Sequence, residues 1–375
     1  MNQRTEFALQ ALRTDNFSQL CREYGISTKT GYKWRDRLIS DGANHMRELS
    51  RRPHSSSQKL DEAVVCEIVR LKEAHRHWGP RKLRSLYARR FSEVPSESSF
   101  KRVLTKAGLV ERRRVRQRTE AGRLFTDRRA EASNDVWTVD FKGWWYTRDG
   151  ERCEPLTVRD EYSRYVLEVR ALADARTQTV RVCFERLFER HGLPSAIRSD
   201  NGAPFASRRG VLGLSRLSAW WVALGIDLER GRPGCPQDNG AHERLHRDMA
   251  CELEGRTLID RQAALDEWRQ TFNQERPHEA LGMRCPGEVY VNSSRKFHGT
   301  PEELDYDGMQ TRRVQQDGCI VCGARVPISS ALSGWSVGLQ QTTNHTWNVW
   351  FGQLLLGELD ISTSSFKRAT EQTRK

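Results

Sequence analysis

VWTVDFKGWWY (136–146) sets an aspartate inside an otherwise apolar and aromatic run, and the fold is read outward from it. Val, Trp, Thr, Phe and Tyr favour extended backbone, so the run predicts a β-strand. A carboxylate inside such a strand is costly unless it is hydrogen-bonded or holds a cation. CEPLTVRDEYSR and YVLEVRAL predict two more strands around an Asp-Glu turn. TQTVRVCFERLFERHG (177–192) predicts an amphipathic helix ended by Gly192. SAIRSDNG (195–202) predicts a short strand running into a polar turn, LSRLSAWWVALG (214–225) a helix and IDLER (226–230) a short strand. GRPGCPQDNG (231–240) reads as a loop, followed by helices at about 241–254 and 260–275. The order β-β-β-α-β-α-β-α predicts a mixed sheet with helices on its faces.

Three acids in this region have the placement a metal site needs. Asp140 lies in the first strand, Asp200 where a strand meets the turn SDNG, and Glu243 in the first turn of the helix after the Pro/Gly loop. Ligand sites in such sheets gather at strand ends. Hard cations such as Mg²⁺ take carboxylate oxygens, and two such ions suit phosphodiester displacement. The chain has 49 acidic residues, however, so spacing alone leaves other roles open. Asp140 also fits a hydrogen-bonded strand residue, Asp200 an Asx turn and Glu243 a dipole-favoured first-turn acid. Asp160 and Asp238 are rivals that periodicity does not remove.

Upstream, residues 5–40 predict three helices. Phe17, Leu20, Cys21 and Tyr24 share one helical face. Gly25 stops that helix and Ser27 caps the next, whose Trp34 and Leu38 face inward and whose Lys29, Thr30, Lys33 and Arg37 face outward. Helix, glycine turn and capped basic helix is the helix-turn-helix pattern, in which the second helix reads the major groove. Gly31 is a blemish, since a mid-helix glycine costs about 1 kcal/mol. SRRPHSSSQK (50–59) reads as a linker. A second helical unit uses Val64, Val65, Ile68 and Leu71, then WGPRKLRSLYARRF (78–91), then a helix capped by Ser96 and stopped by Gly108. Its outward residues include Lys101, Arg102 and Lys106. ERRRVRQR (111–118) has no apolar face and reads as a basic linker. The segments of 307–362 are strand-like with glycine turns and predict a small SH3-like β-barrel. The predicted domains are a helix-turn-helix domain at 1–50, a second helix-turn-helix or winged domain at 58–110, a linker at 111–131, an α/β core at 132–292 and the barrel at 305–362.

Charge separates these regions. Residues 1–130 carry 30 Lys and Arg against 15 Asp and Glu, whereas the remainder carries 32 against 34. A positive excess confined to one third favours a polyanionic partner. The nine cysteines are an odd number at irregular spacing, which argues against a disulfide framework. Cys319-x-x-Cys322 lacks a second ligand pair and reads as strand residues rather than zinc ligands. No apolar run approaches a membrane span and the N-terminus lacks a signal-peptide pattern. The reading is an intracellular, soluble protein with no membrane partner.

WTVDFKG (137–143), IRSDNGAPFAS (197–207), LSRLSAWWVALGIDLERGRPGCPQDNGAHERLH (214–246) and FNQERPHEALGMRCPGEVY (272–290) together resemble bacterial insertion-sequence transposases with an N-terminal helix-turn-helix and a retroviral-integrase-like DDE catalytic core. The resemblance implies a multidomain α+β protein whose core is RNase H-like. It places the family acids on Asp140, Asp200 and Glu243, which would act as both catalytic residues and ligands of two Mg²⁺ ions, with Mn²⁺ able to substitute. It implies double-stranded DNA partners, the terminal inverted repeats and the target, and a homo-oligomer, at least a dimer, on paired ends. The wider family often has a basic residue seven positions after the glutamate; here that residue is Ala250, and Arg247 is the nearer candidate for a phosphate contact. Asn201 and Gly202 are expected to shape the turn presenting Asp200. Arg276-Pro277-His278 is expected to close the core, and Trp144 and Trp145 to pack at a hairpin rather than stack on a base. The alternatives are a catalytically inactive, domesticated DNA-binding protein and an RNase H-like nuclease that does not join strands.

Overall fold

A computed structural model describes residues 3–43, 46, 60–110, 129–146, 150, 152–172, 174–231, 240–253 and 260–374. The predicted linkers 50–59 and 111–118, and residues 232–239 of the Pro/Gly loop, Asp238 among them, lie outside the described residues. The chain divides into two compact units, Met1–Glu62 and Ala63–Lys375.

In the first unit α1 (Gln3–Ala11), α2 (Phe17–Glu23) and α3 (Thr28–Asp41) enclose Phe7, Ala8, Leu20, Cys21 and Trp34. Asn16 and Ser27 cap α2 and α3 through their side chains, satisfying backbone amides the helices leave open. Gly25 turns between the helices with φ +64°, and the Ile26 amide closes back on the Cys21 carbonyl at 2.9 Å. Gly31 is no blemish. A Cβ there would lie 2.6 Å from Cys21 Sγ and 3.0 Å from the rings of Phe17 and Phe7, so its absence lets α1 and α2 approach α3.

The second unit opens with α4 (Glu62–Ala74), α5 (Pro80–Ala88) and α6 (Glu97–Lys106). Pro80 begins α5 after Gly79, where a missing amide costs nothing, and Ser96 caps α6. A five-stranded mixed sheet follows. Its strands are β1 (Val136–Phe141), β4 (Pro155–Asp160), β5 (Val166–Ala171), β6 (Ala196–Ser199) and β7 (Asp227–Arg230), in the order β5-β4-β1-β6-β7. β1 is antiparallel to β4, β4 to β5, and β1, β6 and β7 are parallel. A short hairpin of β2 (Trp145–Tyr146) and β3 (Arg152–Cys153) interrupts the sheet. α7 (Thr177–His191) and α8 (Arg216–Ala223) bury Phe184, Phe188, Trp220 and Trp221 with Trp137 and Ile197 of the sheet. α9 (Gly240–Leu253) and α10 (Arg261–Gln274) bury Leu245, Met249, Trp268 and Phe272 with Val166 and Val169.

Edge strand β5 leaves a row of backbone groups that would otherwise lack partners. α10 takes them up: Asn273 pairs with both the amide and the carbonyl of Val166, Arg269 donates to the Leu167 carbonyl, and Gln262 bonds the Val169 carbonyl and the Ala171 amide. Arg276 lies buried between Asp248 and Glu252 of α9, at 2.8 and 3.0 Å, so the RPH segment ties the end of α10 to α9. The α5 helix touches this region too, with Arg89 pairing with Glu288 at 3.3 Å.

The C-terminal strands are β8 (Gln310–Arg313), β9 (Cys319–Cys322), β10 (Ala324–Pro327), β11 (Ser336–Gln341), β12 (Thr346–Phe351), β13 (Leu354–Asp360) and β14 (Ser365–Arg374). They do not close the predicted barrel. The five-stranded sheet runs β14-β13-β12-β11-β8, and no ladder joins its edges β14 and β8 among the described residues. The β9–β10 hairpin is a separate two-stranded sheet that contacts both edges without extending them. Barrel closure requires continuous ladder hydrogen bonds around the ring, and that hairpin pairs only with itself. No helix among the described residues is long and apolar enough to cross a membrane.

Candidate active site

β1 and β6 pair Val136 with Ala196, Trp137 with Ile197 and Thr138 with Arg198. The same offset carried forward sets Asp140 level with Asp200, the residue directly after β6. Both therefore stand near the C-terminal ends of two neighbouring parallel strands in the middle of the sheet. Glu243 comes from the first turn of α9. Burial and the Asp200 charge push the Asp140 carboxyl up to about 7; the Phe141 backbone amide opposes this, and Glu243 adds to it. The three predicted acids are thus grouped within the range of charge interaction. Among the described residues, however, no three His, Cys, Asp or Glu side chains are gathered in ligating range of one ion. The donor set suits a hard divalent cation, since it is carboxylate only and its mutual repulsion is what a cation would relieve.

The turn after β6 is built for its carboxylate. Asn201 Nδ2 donates to the Gly231 carbonyl at 2.7 Å, fastening the turn to the end of β7. A Cβ on residue 202 would stand 2.9 Å from Asp200 Oδ2, so glycine leaves the carboxylate room. The rival Asp160 is engaged elsewhere: it accepts from the amides of Asn134 and Ser163 at 2.7 and 2.8 Å and from the Ser163 hydroxyl at 2.5 Å. It pairs with Trp137, three residues before Asp140 on β1, and caps a turn there.

Several neighbours carry no local sequence signal. Arg230 ends β7 across from Ser199, near enough for Asp200 to act on its charge. Its Nε and Nη2 are buried without a hydrogen-bond partner among the described residues. His242 is fully buried, and burial, His246 and Arg159 hold its pKa well below the usual range. His246, with Nδ1 4.0 Å from Asp140 Oδ2, is held down to about 3 by burial and then by Lys142 and Arg159. Their helical spacing, i and i+4, is visible in the sequence, but the strand residues they meet are not.

The predicted DNA contacts occupy three helices, α3, α6 and α9. Lys29 and Lys33 are exposed on α3, and Lys33 and Arg37 lie over the Trp34 ring at 4.8 and 5.0 Å. The Thr30 hydroxyl is 2.9 Å from Ser27 Oγ, so it belongs to the helix cap. Lys101, Arg102 and Lys106 are exposed along α6, and Arg247 is exposed one turn beyond Glu243. Trp145 is buried beneath the Lys142 ammonium, 4.1 Å from its ring centre, whereas Trp144 is 53% exposed against Tyr146.

Buried neutral histidines make the fold acid-sensitive. Burial above all holds His191 to about 4 and His246 and His278 to about 3. An unfolded chain protonates these groups near pH 6.5 and the folded chain does not, so their contribution is present above 6.5 and is lost as pH falls toward 4 and 3. Asp140, raised to about 7, works in the opposite direction between about 4 and 7. Three groups outweigh one, and the melting temperature is expected to fall from pH 7 to pH 5. A calorimetric scan showing equal or greater stability at pH 5 contradicts this.

The mixed five-stranded sheet with helices on its faces, and the helical units that precede it, are matched by domain families of the integrase-type polynucleotidyl transferases. The chain matches the integrase core domain at residues 130–236 and again at 224–286, a helix-turn-helix domain at 3–54 and a homeodomain-like domain at 30–104. The insertion element IS407 uncharacterized 31.7 kDa protein of Burkholderia multivorans is 29% identical, over 61% of this chain and 80% of its own length. The insertion element IS476 uncharacterized 39.2 kDa protein of Xanthomonas euvesicatoria is 26% identical, over 62% of this chain and 65% of its own. Among solved structures, the catalytic core domain of BIV integrase is 24% identical, covering 42% of this chain and 93% of that chain with a TM-score of 0.32. The chain therefore carries an integrase core domain and helix-turn-helix domains, and it is similar to insertion-element proteins.

Proposed function

We propose that the chain binds the terminal inverted repeats of a mobile element, cuts at the element ends and joins them to target DNA at a site formed by Asp140, Asp200 and Glu243. The observation that supports this most is the parallel register of β1 and β6, which sets two acids level near the C-terminal ends of these strands and within charge range of a third. The three carboxylates would hold two Mg²⁺ ions, or Mn²⁺ in their place. Ions bound there supply activation of the attacking oxygen and charge stabilisation of the leaving one. The chain's own groups do the rest. The Asn201–Gly231 bond and Gly202 fix the Asp200 carboxylate, while the exposed Arg247 offers guanidinium donors to DNA phosphates. The reading extends to an assembly of at least two chains on paired ends, to a cytoplasmic, nucleoid-associated location and to domains bounded at 1–50, 58–110, 132–292 and 305–362. A strand-transfer assay with labelled ends and Mg²⁺ or Mn²⁺ tests it. Joined product supports transposition; cleavage without joining makes the chain a nuclease, and end binding alone makes it a DNA-binding protein.

Element-end recognition is assigned to α3 and α6. Lys29, Lys33 and Arg37 changed together to Gln are expected to weaken end binding and to flatten its salt dependence by about 0.9 in log–log slope for each phosphate no longer neutralised. Filter binding across a salt series reads this directly, and an unchanged slope moves phosphate recognition off α3.

A further inference from the structure

Thr157 is fully buried on β4 and directly opposite Asp140 in the β1–β4 register. Its hydroxyl lies 3.0 Å from the Asp140 carbonyl oxygen, 2.6 Å from His242 Nε2 and 2.8 Å from His246 Nε2. A threonine hydroxyl has one proton to give and two lone pairs to receive. The carbonyl can only accept, so it takes the Thr157 proton, and both histidines donate from Nε2. His242 Nδ1 is then an acceptor, and the Thr138 hydroxyl on β1 stands 2.9 Å from it. One arrangement of protons therefore satisfies the Thr157 hydroxyl in full. Arg159 adds a further tie from β4, donating to the Ala241 carbonyl at 3.0 Å.

These bonds join the two elements that carry Asp140 and Glu243. His242 and His246 flank Glu243 on α9, and their partners are Thr138, Thr157 and the backbone of Asp140 itself. The far end of α9 is held separately by Arg276. We propose that His242, Thr157 and His246 form a positioning clamp that fixes the first two turns of α9 against β1 and so sets Glu243 relative to Asp140. The clamp rests on the reading of those acids given above. It acts through the acids and needs no contact with DNA.

The test compares Thr157→Val, which keeps the shape and removes the hydroxyl, with Thr157→Ser, which keeps the hydroxyl, in the full chain. Three quantities are measured: Mn²⁺ affinity by calorimetry without DNA, end-DNA affinity, and single-turnover strand joining. Thr157→Val is expected to weaken Mn²⁺ binding about tenfold or more, the scale seen when partners that orient ligands are removed. Joining is expected to slow about 100-fold, the scale of an ångström-level misplacement. End-DNA affinity should stay within about twofold, since the phosphate-facing cations are untouched. Thr157→Ser should restore both losses. Thr157→Val with wild-type Mn²⁺ affinity and joining overturns the clamp, as does a loss that Thr157→Ser fails to recover. Should Thr157→Val show no cooperative melt, the comparison passes to His246→Gln, which keeps an N–H donor, against His246→Leu, and equal behaviour of that pair overturns the clamp. Asp140→Asn separates the two readings. Wild-type Mn²⁺ affinity in D140N overturns the acid assignment and the clamp with it, whereas weakened affinity there beside an unaltered T157V overturns the clamp alone.

Discussion

Asp140→Asn, Asp200→Asn and Glu243→Gln are each expected to cut end cleavage and strand joining by on the order of 10³-fold or more, the scale of losing a preorganised charge stabiliser. End-DNA affinity should remain within about twofold, because the cations assigned to recognition lie on other elements. The same exchange has a second, opposite consequence. Asp140 is mostly buried and repelled by Asp200 and Glu243, so its carboxyl is raised to about 7. An amide of equal shape removes that repulsion. The metal-free Asp140→Asn chain should therefore melt at the same temperature as wild type, or higher, at pH 8, where the native carboxylate is charged. Divalent cation should raise the melting temperature of wild type and leave Asp140→Asn unmoved. A variant that keeps near-wild-type joining sinks the assignment of that acid. A variant that loses joining together with its melting temperature would instead mark a structural role.

The elements of the core were largely legible because their signals are local. Apolar alternation, Gly192 after α7 and Gly25 before α3 mark strand and helix limits within a few residues. The acids were not legible from spacing, since 49 carboxylates offer many triples and each had an ordinary structural role available. The family motifs singled them out, and the β1–β6 register then supplied a physical reason for two of them to be level. The clamp was hidden for a different reason. Its bonds join residues 85 and 89 positions apart, and they exist only once β1 has paired with β4 and α9 has docked. The C-terminal strands were visible by alternation, but alternation says which face is buried and not which edges pair. The barrel was inferred from short strands with glycine turns, and the self-paired β9–β10 hairpin leaves the sheet open.

Gly31 gives the sharpest case of packing overriding local preference. On helix propensity alone, Gly31→Ala should stabilise α3 by about 1 kcal/mol. The structure reverses that sign. The new Cβ would meet Cys21 Sγ at 2.6 Å, and Cys21 is only 1% exposed, so the sulfur has no free space to enter. The rings of Phe17 and Phe7, at 3.0 Å, close the other sides. Overpacking of this kind typically costs about 1–3 kcal/mol, enough to unfold a small unit held by one modest core. Gly31→Ala is thus expected to lower the melting temperature of the helix-turn-helix unit, and Gly31→Val to abolish specific end binding while leaving Mn²⁺ affinity intact. The double variant supplies the control. In a Cys21→Ala background the nearest obstruction is gone, and Gly31→Ala should become neutral or stabilising, the coupling expected of residues in contact. If Gly31→Ala stabilises the native Cys21 chain, the close approach of α2 to α3 is wrong, and with it the packing that presents Lys29, Lys33 and Arg37 to DNA.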